Sequence, residues 1–182
     1  MLHDLETEKG RWAKEVKKLE REFGLEQDEL KTIGKKELKE KIREKDTKKW
    51  EESLEEKETM KWYKNGKKKI GYEECYRNSI SSKILAKART NTLQVEEVIH
   101  RRDRNHNKTC RLCGAEEEDL KHFMLSCPRL RNKRNRELMR KWNNEDKDQQ
   151  LINILYNEKD YDKVRGMIKA MWNLRKDLLR PP

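Results

Sequence analysis

The sequence predicts an all-α protein, a helical bundle that carries a small zinc-stapled knuckle. Three observations lead to that fold class. Glycine and proline number 7 and 3 in 182 residues, too few turn formers for a many-stranded β architecture. Lys, Glu, Leu and Arg, all good helix formers, dominate the composition. Charged residues make up 45% of the chain, while Leu, Ile, Val and Phe together contribute 34 residues, so a large aliphatic core is excluded and another source of stability is needed.

Charge divides the chain into three expected regions: a charged helical extension over 1–69, helices with the knuckle and a basic arm over 70–142, and C-terminal helices over 143–182. The net charge of +11 is unevenly spread. Residues 1–69 hold 21 Lys and Arg against 18 Asp and Glu, whereas residues 100–142 hold 13 against 6. In the first region acids and bases interleave at three- and four-residue spacings, the pattern of a solvated helical surface. Trp12, Val16, Leu19 and Phe23 form one helical stripe that Gly24 can stop. A second helix carries Leu30, Ile33, Leu38 and Ile42, and a third Trp50 and Leu54, with Gly34 as a break. From Met60 to Tyr72 aromatics alternate with lysines between glycines, which reads as a hydrated loop. Ser79 to His100 reads as helical, with Ile80, Ile84, Leu85 and Ala88 on one face. Asn91, Thr92 and Gln94 interrupt it before a short helix with Leu93, Val95, Val98 and Ile99.

The chemistry concentrates at Cys110, Cys113, His122 and Cys127, spaced C-x2-C-x8-H-x4-C. Zinc takes four such ligands at tetrahedral corners, and a C-x2-C turn supplies two of them. Gly114 relieves the backbone where amides turn toward the thiolates. Asp119 to Cys127 is expected as one short helix ended by Pro128. His106, four residues before Cys110, is an alternative ligand, with His122 preferred; Cys75 is read as a small buried side chain. A redox reading of Cys110 and Cys113 needs a strand and helix of the thioredoxin type, and the surroundings are charged and loop-like. Disulfides do not suit an intracellular chain. With all four ligands from protein the zinc ion is structural, since catalysis needs an open coordination position. Its binding contributes roughly 10 kcal/mol or more to folding.

Basic residues flank the knuckle: Arg101, Arg102 and Arg104 before it, Lys108 and Arg111 at its start, and Arg129, Arg131, Lys133, Arg134, Arg136, Arg140 and Lys141 after it. If 129–141 forms one helix, its seven cations surround the single acid Glu137, and phosphate contact is the readiest use for them. Phe123, Trp142 and Tyr156 could stack on bases but are read as core.

Several stretches match a known pattern. Cys75-Tyr76-Arg77-Asn78-Ser79, Ala88-Arg89-Thr90-Asn91-Thr92-Leu93, Cys110-Arg111-Leu112-Cys113-Gly114, the acidic Glu116 to Asp119 and His122-Phe123-Met124-Leu125-Ser126-Cys127-Pro128 resemble the C-terminal end of non-LTR (LINE-type) retrotransposon polyproteins. There a Cys-Cys-His-Cys knuckle follows the reverse transcriptase and its helical linker. The resemblance implies a module that binds element RNA or target-site DNA during target-primed reverse transcription, alongside the rest of a larger polyprotein. No Tyr-x-Asp-Asp polymerase motif occurs in the chain, so a non-catalytic accessory role is expected. The competing expectation is a zinc-braced protein-interaction or oligomerisation domain. No apolar run approaches the ~20 residues of a membrane span, and Met1-Leu2-His3-Asp4 lacks the apolar stretch of a signal peptide. The expected setting is intracellular, cytoplasmic or nuclear, with no membrane partner.

Overall fold

The computed structural model describes Lys14, Lys17, Arg21, Gly24 and residues 34–67, 70–73 and 76–180, and no strand occurs among them. The chain divides into two compact units, 1–53 and 54–182. No described helix is long and apolar enough to cross a membrane.

In the first unit Lys14, Lys17 and Arg21 are helical, and Gly24 turns with φ +60°, a conformation that glycine adopts without steric cost. Trp12, Val16, Leu19, Phe23, Leu30 and Ile33, expected on helical stripes, lie outside the described residues. Helix α1 runs unbroken over Lys35–Glu55. Gly34 directly precedes this helix, and Leu38 and Ile42 share it with Trp50 and Leu54, which the sequence places on a separate helix. Most of α1 is exposed, as its charge density requires.

The second unit opens with a 3-10 turn, Glu58–Met60, and a short helix α2, Lys61–Gly66. A loop is expected here from the sequence, but the helix forms because Trp62 is buried in the core and Tyr63 stacks edge-on with Tyr156, 6.4 Å between centroids. Gly66 lies against the Tyr156 ring so closely that a Cβ would meet its Cδ2 at 2.1 Å. Helix α3, Ile80–Arg89, starts at Ser79, whose hydroxyl accepts from the Ser82 amide. Its buried face is Ser82, Ile84, Leu85, Ala88 and Arg89. Ile80, expected inside, is 67% exposed. The helix ends where Asn91 takes φ +49°, letting the Thr92 and Leu93 amides bond back to the Lys87 carbonyl. Val95 then leads into α4, Glu96–Arg102.

After the knuckle come a 3-10 turn, Pro128–Lys133, and α5, Arg136–Lys141. A single helix over 129–141 does not form. Asn135 instead leaves the helical path and caps α5, its side chain accepting from the Glu137 and Leu138 amides. Asp146 caps α6, Lys147–Tyr156, in the same way. The last helix, α7, Tyr161–Leu178, buries Val164, Met167, Ile168, Met171 and Arg175. Those positions recur at three- and four-residue intervals, one stripe facing the core. Helix α3 packs on α7, α2 on α6, and the 3-10 turn after Cys127 on α7. One continuous core results, from Trp62 through Leu85, Phe123, Leu130 and Leu155 to Met171.

Two buried arginines organise that core. Arg89, fully buried, donates through Nε and Nη2 to the Leu155 carbonyl at 2.9 and 2.6 Å and through Nη1 to Glu73 at 3.0 Å. The rings of Tyr76, Tyr156 and Tyr161 lie within 5.3 Å of its guanidinium. This accounts for the Ala-Arg-Thr-x-x-Leu stretch: Ala88 and Leu93 fill core, Arg89 ties α3 to the end of α6, and Thr90 and Asn91 close the helix. Arg175 sits between two buried carboxylates, donating through Nε and Nη2 to Glu118 at 2.8 and 2.6 Å and through Nη2 to Glu96 at 2.7 Å.

Candidate metal centre and nucleic-acid interface

Cys110, Cys113, His122 and Cys127 converge, with one ligand atom from each lying within 4.8 Å of all the others. Cys113 Sγ and His122 Nε2 are 3.3 Å apart. Sulfurs at about 2.3 Å from a central ion and at tetrahedral angles lie roughly 3.8 Å apart, so this donor set suits zinc. The first pair is held by a reverse turn in which the Gly114 amide donates to the Cys110 carbonyl at 2.8 Å and the Cys110 amide to the Ala115 carbonyl at 2.8 Å. Gly114 has φ +76°, the left-handed conformation the turn requires.

The second pair comes from a π turn, His122–Ser126, where the sequence predicts a short α-helix. Its amide-to-carbonyl link spans five residues, Cys127 to His122, at 2.7 Å. Asp119 starts the turn, its Oδ1 accepting from the His122 amide at 2.6 Å. The turn forms because Phe123 and Met124 point into the core, with Phe123 edge-on to Trp172 at 5.9 Å. Arg134 closes the far side, donating through Nε to the Met124 carbonyl at 2.8 Å and through Nη2 to the Cys127 carbonyl at 2.7 Å.

Burial pushes the Cys110 thiol up to about 12 and raises the Cys127 thiol above its ordinary value. Two buried thiols that resist ionisation need a cation to hold them as thiolates, which zinc supplies. Burial also lowers the His122 pKa, keeping the imidazole neutral and able to ligate. His106, the alternative ligand, stands apart from the cluster, with its Nε2 on Glu96 Oε2 at 2.5 Å. Cys75 lies outside the described residues.

Beside the knuckle the Glu96 carboxylate collects Arg111 at 2.8 Å and Arg175 as well as His106. Burial opposes its charge, but His106, Arg111 and Arg175 hold its pKa below the usual carboxylate range. Glu118, in the loop between the ligand pairs, bonds Arg175 and also accepts from the Glu96 amide at 3.1 Å. The acidic stretch between the ligands is thus divided in use: Glu118 braces the core, Asp119 starts the π turn, and Glu116 and Glu117 face solvent.

The expected basic residues separate into two groups. Before the second ligand pair most are engaged by the protein itself: Arg101 by Glu97 and the Asn91 carbonyl, Lys108 by Glu117, Arg111 by Glu96. Arg102 and Arg104 are exposed. After Cys127, the break at Asn135 places Arg129, Arg131, Arg134, Arg136 and Arg140 around one open groove of about 1300 Å³. No Asp or Glu lines it. The Arg134 side chain is committed to the knuckle carbonyls, while the side chains of Arg129, Arg131, Arg136 and Arg140 make no ion pair or hydrogen bond among the described residues. Lys133 is exposed outside the groove lining. Leu125, Met139, Leu174 and Leu178 form an apolar part of the lining. The participation of α7 is not readable in the sequence, since Leu174 and Leu178 look like an ordinary helix stripe. Phe123 is core, and Tyr156 and Trp142 are half-buried, Tyr156 against Arg89.

Like charges gathered without acids repel one another, a cost that an anionic ligand removes. No curated protein and no solved structure matches the chain. Residues 47–132, just under half of the chain, match the family described as zinc-binding in reverse transcriptase. That match spans all four ligands, and with the converged donor set it identifies a structural zinc centre in a segment similar to the zinc-binding region of reverse transcriptases.

Proposed function

We propose that this chain is the nucleic-acid-binding zinc module of a LINE-type retrotransposon protein, holding element RNA or target DNA within a larger polyprotein during target-primed reverse transcription. It contributes no catalysis of its own and works inside the cell. The observation that carries the reading is the groove with five arginines and no carboxylate, built against the metal centre through Arg134. Arginine holds phosphate oxygens bidentately, and counterion release from the strand drives association. Zinc keeps the knuckle folded, and the knuckle sets where Arg129 and Arg131 stand.

Fluorescence anisotropy with labelled RNA and DNA across a salt series tests it. Four arginines free to engage phosphates give a slope of log K against log salt near −3, from roughly 0.7 to 0.9 per phosphate. Arg131→Glu, Arg136→Glu and Arg140→Glu together should lower affinity by about a hundredfold or more while leaving helicity and zinc content unchanged. No binding at low salt, or a slope near zero, rejects the proposal.

A second reading, protein docking, has its own observation: Ile70, Tyr72 and Ile80 are 46%, 84% and 67% exposed. A stable dimer in light scattering that Tyr72→Ser abolishes would favour it.

A further inference from the structure

The groove offers more than positive charge, and its remaining chemistry bears on which form of nucleic acid it fits. This step rests on the proposed function. The chain has 29 lysines and 17 arginines, yet every cation lining the groove is arginine. Lysine serves as a point charge for phosphate, whereas guanidinium adds a planar face that stacks on aromatic rings. Leu125, Met139 and Leu174 are half-buried there and Leu178 is 43% exposed, so apolar surface lies beside the arginines. Asn132, Asn143 and Gln150 also line it. Their amides carry acceptor oxygens as well as donors, and a phosphate has no use for an acceptor.

A duplex turns its phosphates outward and keeps its base faces inside the stack. Bound to this groove it satisfies the arginines and leaves the leucines and methionine wet. An unpaired strand can lay base faces on the apolar surface and base edges on the amides while its phosphates stay with Arg129, Arg131, Arg136 and Arg140. An acidic peptide satisfies the arginines but has fewer uses for amides that both donate and accept.

We infer that the groove between the 3-10 turn after Cys127, α5 and the end of α7 binds unpaired nucleic acid, with bases on the Leu125, Met139, Leu174 and Leu178 surface and phosphates on the arginines.

Anisotropy on the zinc-loaded chain with four probes of equal length tests this: an oligothymidine strand, the same strand made abasic, a duplex and a polyglutamate peptide. The oligothymidine should bind at least about tenfold tighter than the abasic strand, which carries the same phosphates. Leu178→Gln, at an exposed position, should weaken oligothymidine about threefold to fivefold and leave the abasic strand unchanged. Leu178→Phe should strengthen oligothymidine alone by a similar factor. Equal affinity for the base-bearing and abasic strands, or tighter binding of the duplex, overturns the inference while leaving the proposed function standing. Polyglutamate displacing the strand overturns it in favour of a protein ligand. Failure of every nucleic acid to bind overturns both.

Discussion

Replacing Arg175 with methionine removes one guanidinium and keeps most of the stem that lies along α7. In the native protein that group makes three hydrogen bonds of 2.6 to 2.8 Å to two buried carboxylates. The two carboxylates fare differently on its loss. Glu96 retains Arg111 and His106. Glu118, which is fully buried, retains among its partners only the Glu96 amide at 3.1 Å and no cation. Breaking a buried pair by removing one partner costs about 3 to 5 kcal/mol, because the survivor is charged and unsolvated. For a unit of this size that is a fall in Tm of about 10 °C or more. Glu118→Gln removes the stranded charge, so Arg175→Met with Glu118→Gln should recover about 2 kcal/mol of the loss. Urea denaturation followed by circular dichroism at saturating zinc, on the wild type, both single variants and the double variant, measures the coupling. A cost below about 1 kcal/mol for Arg175→Met, or no recovery in the double variant, refutes the view that Glu118 depends on Arg175 for its charge.

Two further outcomes concern the metal centre. Chelation of zinc, or Cys113→Ser, should unfold the knuckle and the helices packed on it, seen as lost ellipticity that returns when zinc is restored to the wild type. Because burial raises the Cys110 and Cys127 thiols, both hold protons at neutral pH in the metal-free chain and release them as zinc binds. Uptake should therefore weaken as pH falls, by about tenfold per unit for each proton released and so at least about a hundredfold, and calorimetry in buffers of different ionisation enthalpy counts them. Arg134→Met strips the donor from the Met124 and Cys127 carbonyls, so zinc should pass to a chromophoric chelator about tenfold faster, the usual cost of losing a residue that orients metal ligands. An unchanged transfer rate would show that Arg134 serves the groove alone.

What can be read from the sequence is local chemistry. The ligand set follows from spacing within an 18-residue segment, because a turn and a helical turn each present two donors without help from the rest of the chain. The helical class follows from propensity. Long-range commitments leave weaker marks. Arg175 continues the stripe of Val164, Ile168 and Met171 at intervals of three and four, and a charge on an apolar stripe is the available signal that a buried acid waits opposite. The pairing of Arg101 with Glu97 is also readable, as an i,i+4 contact on α4. Nothing marks Arg134 as different from its neighbours, since its partners are backbone carbonyls. Asn135 does carry a signal, a capping residue two positions before Glu137, but the density of cations around it suggests one uninterrupted helix. Burial of Trp62 and packing of Tyr63 override the loop character of their lysine-rich segment.

The π turn joins the last two ligands. Four residues separate His122 from Cys127, and the link from the Cys127 amide to the His122 carbonyl closes a loop one residue wider than an α turn. Deleting a single residue from Phe123–Ser126 would let the segment relax to the tighter and more stable winding. An i→i+5 link in the wider winding and an i→i+4 link in the tighter one each carry the chain through roughly one turn, so the thiol would stay on the side of His122, and the change would fall on Phe123 and Met124, which the wider winding seats in the core. The extra residue therefore serves the core more than the coordination: it lets two adjacent side chains, Phe123 and Met124, both be buried while His122 and Cys127 face one point.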